Sequence, residues 1–189
     1  MVKLTYAAIA SLDGYVADRE GSFAWSAPDE DVHEAVNDLM RSVGTLLLGR
    51  RMYDVLVAWE TMDTSGEPPA LRDYAELWRA SDKVVYSTTL DEVASARTRL
   101  ERTFDPGGVE RLKATASRDL SIGGPNLAAQ AIHANLVDEI HLFLNPIVVG
   151  GGTRALPEHA ALKLELLDER RFRGGVVSLS YRVEREIDS

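Results

Sequence analysis

Apolar runs of strand length alternate with stretches of helical period up to Val149, and the pattern changes only after that point. Residues 4–10 (LTYAAIA) read as an apolar strand, followed by a glycine-containing loop through Trp25. From Pro28 onward Val32, Ala35, Val36, Leu39 and Met40 recur at the spacing of one buried helix face. Asp29, Glu30 and Asp31 stand at the start of that helix, where acids suit its dipole. Further strands are predicted over 45–48, 83–86, 120–122 and 139–149, the last interrupted by Pro146, with a short edge strand over 98–102. Helices are predicted over 51–57, 71–80, 109–116 and 126–134. Residues 162–168 and 176–185 alternate apolar with polar, the pattern of a half-exposed antiparallel pair.

This order predicts an open α/β domain: a mixed, mostly parallel central sheet, helices on both faces and a C-terminal antiparallel hairpin. The 189 residues suffice for one sizeable core and are short for two, so a single domain over 1–189 is expected. No apolar run reaches the roughly 18 residues that span a bilayer. Ser11-Leu12-Asp13-Gly14 follows the first apolar stretch where a cleavage site would stand, so that stretch reads as a mature strand and the cytoplasm is the expected location. A net charge of −9 argues against bulk affinity for nucleic acid or anionic membrane. With no cysteine there is no disulfide framework, thiolate nucleophile or Cys-based zinc site. The four histidines fall in four different elements without metal-ligand spacing, and no metal is expected.

Open α/β sheets bind ligands beyond the carboxyl ends of their strands, and three strand ends here carry unusual residues. One runs Gly49-Arg50-Arg51-Met52 into a helix, a second ends Ser87-Thr88-Thr89, and a third runs Gly123-Gly124-Pro125-Asn126-Leu127 into another helix. Glycine at a strand–helix turn lets backbone N–H groups approach an anion, and hydroxyls and arginines add phosphate donors. Two such turns and a hydroxyl-bearing loop suit the two ends of a dinucleotide. G-x-G-x-x-G after the first strand, a P-loop and a G-x-S-x-G elbow are all absent.

Taken in order, ASLDGYVA (10–17), LLLGRRMYDVL (46–56), VVYSTTL (84–90) and SIGGPNLAAQAIHANLVDEIHLFLNPIVVGGG (121–152) resemble the dihydrofolate reductase-like superfamily. The branch most resembled is the reductase domain at the C-terminus of the riboflavin-biosynthesis deaminase–reductase (RibD C-terminal domain) and its stand-alone relatives, over about residues 3–185. The resemblance implies the three-layer fold of that superfamily, NADPH binding, and hydride transfer to a pterin-like, pyrimidine-like or other small C=N or C=O substrate. It places Gly49 to Met52 on the adenosine side, with Arg50 or Arg51 near the 2′-phosphate, and Ser87 and Thr88 around the adenine. Gly123, Gly124, Asn126 and Leu127 would receive the pyrophosphate and nicotinamide, and Ala10 with Asp13-Gly14 would line the nicotinamide pocket. The first-helix carboxylate of dihydrofolate reductases would correspond to Glu30 or Asp31 as catalytic residue. Trp25 and Tyr53 are the aromatics expected to face the substrate. A homodimer is expected, joined through the apolar strand over 140–149. The alternative is an NADP-binding or small-molecule sequestering protein without efficient turnover.

Overall fold

The central strands read as unbroken apolar runs because helices cover both of their faces. The computed structural model describes residues 2–184, so Arg185 of the expected tail strand lies outside the described residues. In chain order the first six strands are β1 (Leu4–Ser11), β2 (Tyr15–Ala17), β3 (Val43–Gly49), β4 (Asp82–Tyr86), β5 (Thr98–Glu101) and β6 (Asp119–Gly123). They are followed by β7 (Glu139–Asn145), β8 (Thr153–Arg154), β9 (Lys163–Arg171) and β10 (Val177–Glu184). Eight of them form one sheet in the order β5-β4-β3-β6-β1-β7-β10-β9, while β2 and β8 pair as a small separate ribbon. Every pairing from β5 to β7 is parallel, and β10 turns antiparallel against both β7 and β9. The expected mostly parallel sheet with a terminal antiparallel hairpin is therefore the observed one.

Side chains of successive residues point to opposite layers. On one face Leu4, Tyr6, Leu47, Val84, Leu120, Ile122 and Ile140 pack on α4 (Pro106–Thr115) and α5 (Pro125–His133) through Val109, Leu127, Ala128, Ala131 and Ile132. On the other, Leu46, Leu48 and Val85 meet α2 (Arg50–Leu56) and α3 (Pro69–Ala80) through Tyr53 and Trp78. Further along that face Ile9 and Phe143 meet α1 (Glu30–Met40) through Val32, Ala35, Val36 and Leu39. Lys83 is the charged residue of this core, 1 % exposed. Its Nζ donates to the carbonyls of Trp78 and Ser81, both at 2.9 Å, and lies 4.8 Å from the Trp78 ring centroid. An ammonium at the C-terminus of α3 meets the negative end of the helix, and burial pulls its pKa below the usual lysine value.

One expectation is corrected. The strand expected over 139–149 stops at Asn145, because Pro146 has no N–H to continue a ladder. β7 is paired on both sides, by β1 and β10, and the sheet's outer strands are β5 and β9. The β2–β8 ribbon escaped prediction because strands of three and two residues carry no readable period. Among the described residues no helix is long and apolar enough to cross a membrane, and no group of His, Asp and Glu could hold a metal.

Candidate functional site

β3 and β6 are parallel neighbours with Leu48 opposite Gly123, so the turns that follow them emerge side by side. They touch backbone to backbone. A Cβ on Gly124 would lie 3.7 Å from Gly49 Cα and 3.6 Å from Met52 Cβ. Gly124 also has φ +97°, which a side-chain-bearing residue rarely adopts. Gly49 and Gly124 are the N-caps of α2 and α5, and neither is capped by a side chain. The first-turn N–H groups of α2, and those of α5 after Pro125, which has none, thus lack intrahelical acceptors and face the same edge of the sheet. Asn126 is exposed there, whereas the Leu127 side chain is buried in the core and can offer only its backbone.

The two arginines that the sequence leaves equivalent are not equivalent in the fold. Arg50 Nε donates to both carboxylate oxygens of Asp54, at 2.9 and 2.8 Å. Arg51 is exposed and has no ion pair or hydrogen bond among the described residues. In the neighbouring loop Ser87 Oγ accepts the N–H groups of Thr89 and Leu90, at 3.2 and 3.0 Å, so this hydroxyl shapes the loop. Arg102 Nη1 steadies the same loop by donating to the carbonyls of Ser87 and Leu90, and Thr88 is left exposed.

One strand further on lies a cleft. β1 pairs with β6 only as far as Tyr6↔Ile122, then runs on beside β7 to Ser11↔Asn145. Beyond Asn145 a cleft of about 370 Å³ opens between the loop before α1, residues 145–147 and the turn joining β9 to β10. Trp25, Asp29, Asn145 and Gly174 are among its lining residues. The Trp25 Nε1 is buried without a hydrogen-bond partner. Gly174 admits the Asp29 carboxylate, since a Cβ there would sit 2.3 Å from Asp29 Oδ2. Buried Ala10 borders this region, its carbonyl 3.5 Å from Asn145 Nδ2.

Asp29, and neither expected acid, is therefore the carboxylate of the cleft. Glu30, exposed as Asp29 is, does not line the cleft, and Asp31 turns to the hairpin, where Oδ2 accepts the Arg173 N–H at 3.3 Å. Tyr53 is likewise corrected. It is 2 % exposed in the core, and its hydroxyl accepts the Ala94 N–H at 2.8 Å and lies 3.0 Å from Ser95 Oγ. Asp13 binds its own loop to the chain after β7, accepting the N–H groups of Val149 and Gly150 at 3.1 and 2.8 Å. A hydrogen bond from Ser11 and these two backbone bonds hold its carboxyl below the usual range. Gly14 forms the turn with Ser11, its φ at +87°.

The family model described as RibD C-terminal domain matches residues 2–178. The chain belongs to the RibD C-terminal domain family. It is 27 % identical over 176 residues to the uncharacterized protein YyaP of Bacillus subtilis (strain 168), covering 90 % of this chain and 89 % of that one. Among solved structures it is similar to a pyrimidine reductase-like protein of Corynebacterium diphtheriae, with TM-score 0.70, 14 % identity, and 98 % and 93 % of the two chains covered. It is similar to a diaminohydroxyphosphoribosylaminopyrimidine deaminase/5-amino-6-(5-phosphoribosylamino)uracil reductase of Thermotoga maritima, with TM-score 0.65 and 12 % identity. That match covers 97 % of this chain and 57 % of the other. A dihydrofolate reductase of Enterococcus faecalis, complexed with NADP(H), aligns with TM-score 0.62 and 11 % identity over 97 % of both chains. At these identities the structures show the fold, and the RibD C-terminal domain family is one of reductases.

Within this RibD C-terminal domain chain, the glycine turns were legible as motifs, while Asn145, Gly174 and Val176 of the cleft were not singled out. Asn145-Pro146 at the end of an apolar strand was the available signal for the first of these.

Proposed function

We propose that this RibD C-terminal domain protein is an NADPH-dependent reductase of a small, flat C=N or C=O substrate bound in the Trp25–Asp29 cleft. The observation that carries the reading is the contact of the Gly49 and Gly124 turns at the edge where the cleft opens on the other side of β1. A Cβ at Gly124 would lie against the Gly49 backbone and Met52 Cβ, so the glycine leaves the two turns presenting backbone to each other, the form in which N–H groups approach a pyrophosphate. Asn126 and the first turn of α5 would hold that pyrophosphate, Arg51 the 2′-phosphate, and Thr88 the adenosine end. NADPH would supply the hydride.

The chain's own residues then have separate tasks. Ala10 and the extended end of β1 form the wall between cofactor turns and cleft, fixing the distance between reacting groups. Trp25, Pro28 and Val176 line the cleft and give it apolar surface for a flat ring. Asp29 is the acid placed to hold a proton, or the water that delivers it, at the reducible bond. The presence of a carboxylate in the cleft favours turnover over sequestration. Titration calorimetry should give NADPH dissociation in the micromolar range, and dissociation no tighter than about millimolar (about −4.1 kcal/mol) refutes the assignment. A screen of pterins, pyrimidines and small carbonyl compounds, read as loss of reduced-nicotinamide absorbance, separates reductase from sequestering protein.

A further inference from the structure

The start of α1 breaks a local rule. Asp29 occupies its N-cap position, with the extended backbone of a capping residue, φ −70° and ψ 171°. The Asp29 carbonyl already accepts the His33 N–H at 2.9 Å, closing the first turn. The carboxylate, however, makes no cap hydrogen bond. The N–H groups of Asp31 and Val32, the ordinary targets of an N-cap side chain, have no acceptor among the described residues. Asp105 shows what is missing: at the N-cap of α4 its Oδ1 accepts the Gly107 N–H at 3.1 Å. The Asp29 carboxylate lies instead in the space left by Gly174, where a Cβ would stand 2.3 Å from Oδ2. Nothing bonds it there, since it has no hydrogen-bond or ion-pair partner among the described residues, Arg173 included. An uncapped helix start is unfavourable, and functional sites are where such breaks are kept.

We infer that Gly174 is a positioning residue: it gives the Asp29 carboxylate a second seat, in the cleft, in place of the cap on α1. The two seats differ by rotation of one side chain, because the backbone is already that of an N-cap. Gly174 is not required for its own backbone, since its φ lies outside the left-handed range, unlike that of Gly175 at +86°. What a side chain there changes is the room for Asp29. A Cβ closes the cleft seat and returns the carboxylate to the Asp31 and Val32 N–H groups. The charged groups around it are Glu30 and Asp31 on α1 and the exposed Arg173 on the hairpin; residues 145–147 on the third side bring none. The use of the cleft seat rests on the reductase reading, in which Asp29 serves the reducible bond, whereas the exchange of seats stands without it.

The test is a double-mutant cycle of Gly174→Ala and Asp29→Ala in the full chain, read by urea unfolding and by amide exchange at Asp31 and Val32. In Gly174→Ala the exchange of one of these amides should slow about fivefold, the factor that goes with one cap. Asp29→Ala should lower the folded-to-unfolded ratio about five- to thirtyfold in the Gly174→Ala background. In the wild-type background it should do so less, because no cap is lost there. The opposite sign overturns the inference: if Asp29→Ala restores stability or folding lost in Gly174→Ala, the carboxylate is wedged and has one seat. Equal effects in both backgrounds, unchanged amide exchange, or loss of the fold in Gly174→Ala and the double variant alike also overturn it. With NADPH and dihydrofolate as the probe substrate, Gly174→Ala should lower kcat as far as Asp29→Ala does, the double variant no further, and the KM for NADPH should not move. A Gly174→Ala variant with wild-type kcat overturns the positioning role. NADP⁺ titration and absence of wild-type turnover report on the reductase reading separately, because the amides and the cycle decide the exchange of seats.

Discussion

Arg51→Ala should abolish most of the preference for NADPH over NADH, and Arg50→Ala should leave most of it intact. The difference follows from one ion pair. Arg50 lies bidentate on Asp54, so its charge is already cancelled four residues along its own helix. Arg51, its neighbour at the start of α2, is exposed and unpaired among the described residues. Two unit charges about 4 Å apart in water interact by about 1 kcal/mol, so a 2′-phosphate of charge about −1.5 to −2 gains about 1.5–2 kcal/mol from an exposed guanidinium. That energy corresponds to a tenfold to thirtyfold change in the ratio of the two dissociation constants, at about 1.4 kcal/mol per decade. The water value is the appropriate one because Arg51 is at the surface. The assay is titration of each variant with NADPH and NADH at low salt, repeated near 1 M, where a screening length of about 3 Å should shrink the wild-type preference. Asp54→Asn, which frees Arg50, should increase the preference. If Arg50→Ala lowers the ratio more than Arg51→Ala, or if neither lowers it, the adenosine phosphate does not sit at the start of α2.

Gly124→Ala should destabilise the fold by about 1–3 kcal/mol, because φ +97° and not lack of space is the obstacle. Gly123→Ala should cost less, since its close contacts, Leu48 Cδ2 and Met52 Cγ at 3.1 Å, are side-chain atoms and the Leu47 carbonyl is at 4.0 Å; thermal melting that reverses this order refutes the argument. Lys83→Met should lose about 1–3 kcal/mol in urea unfolding by stranding a carbonyl at the end of α3; wild-type stability in that variant would show the buried ammonium to be dispensable. Burial lowers the pKa of both His33 and His141 below the ordinary 6.5, so the unfolded chain binds more protons than the folded one between the two values. Their contribution is therefore complete above pH 6.5 and declines as pH falls through the lower folded values; His33→Leu should flatten the slope of unfolding free energy below pH 6.5.

Local periodicity made most of the elements legible. The face Val32–Val36–Leu39, the apolar run of β3 and the edge character of β5 all depend on neighbours within a few residues. The glycine turns were legible for a related reason: a strand-to-helix turn needs conformational freedom wherever it occurs. Three consecutive acids at 29–31, by contrast, look alike until the β9–β10 turn arrives from far along the chain. Gly174 then takes Asp29 into the cleft, and the Arg173 N–H draws Asp31 away. Tyr53 was misplaced although its own surroundings held the answer, since Tyr53, Leu56 and Val57 repeat the spacing of a buried helix face. Pairing between Arg50 and Asp54 is a four-residue helical contact and was legible too, yet nothing local decides which of two adjacent arginines is left free.

The position of β6 has a consequence for how the chain reaches its fold during synthesis. β6 lies between β1 and β3, but it is made after β3, β4 and β5. A nascent chain ending near Ala116 therefore owns both walls of the central gap and lacks the strand that joins them. The facing edges of β1 and β3 at that stage are apolar and unpaired, including Leu4, Tyr6, Leu46 and Leu47, all of which end 3 % exposed or less. Unpaired apolar edges recruit other strands. Ribosome-bound or truncated chains stopping before Asp119 should be prone to self-association and to chaperone capture, and those extended past Gly123 much less so. The β1–β3 halves become one sheet only when Leu120 and Ile122 slide between them.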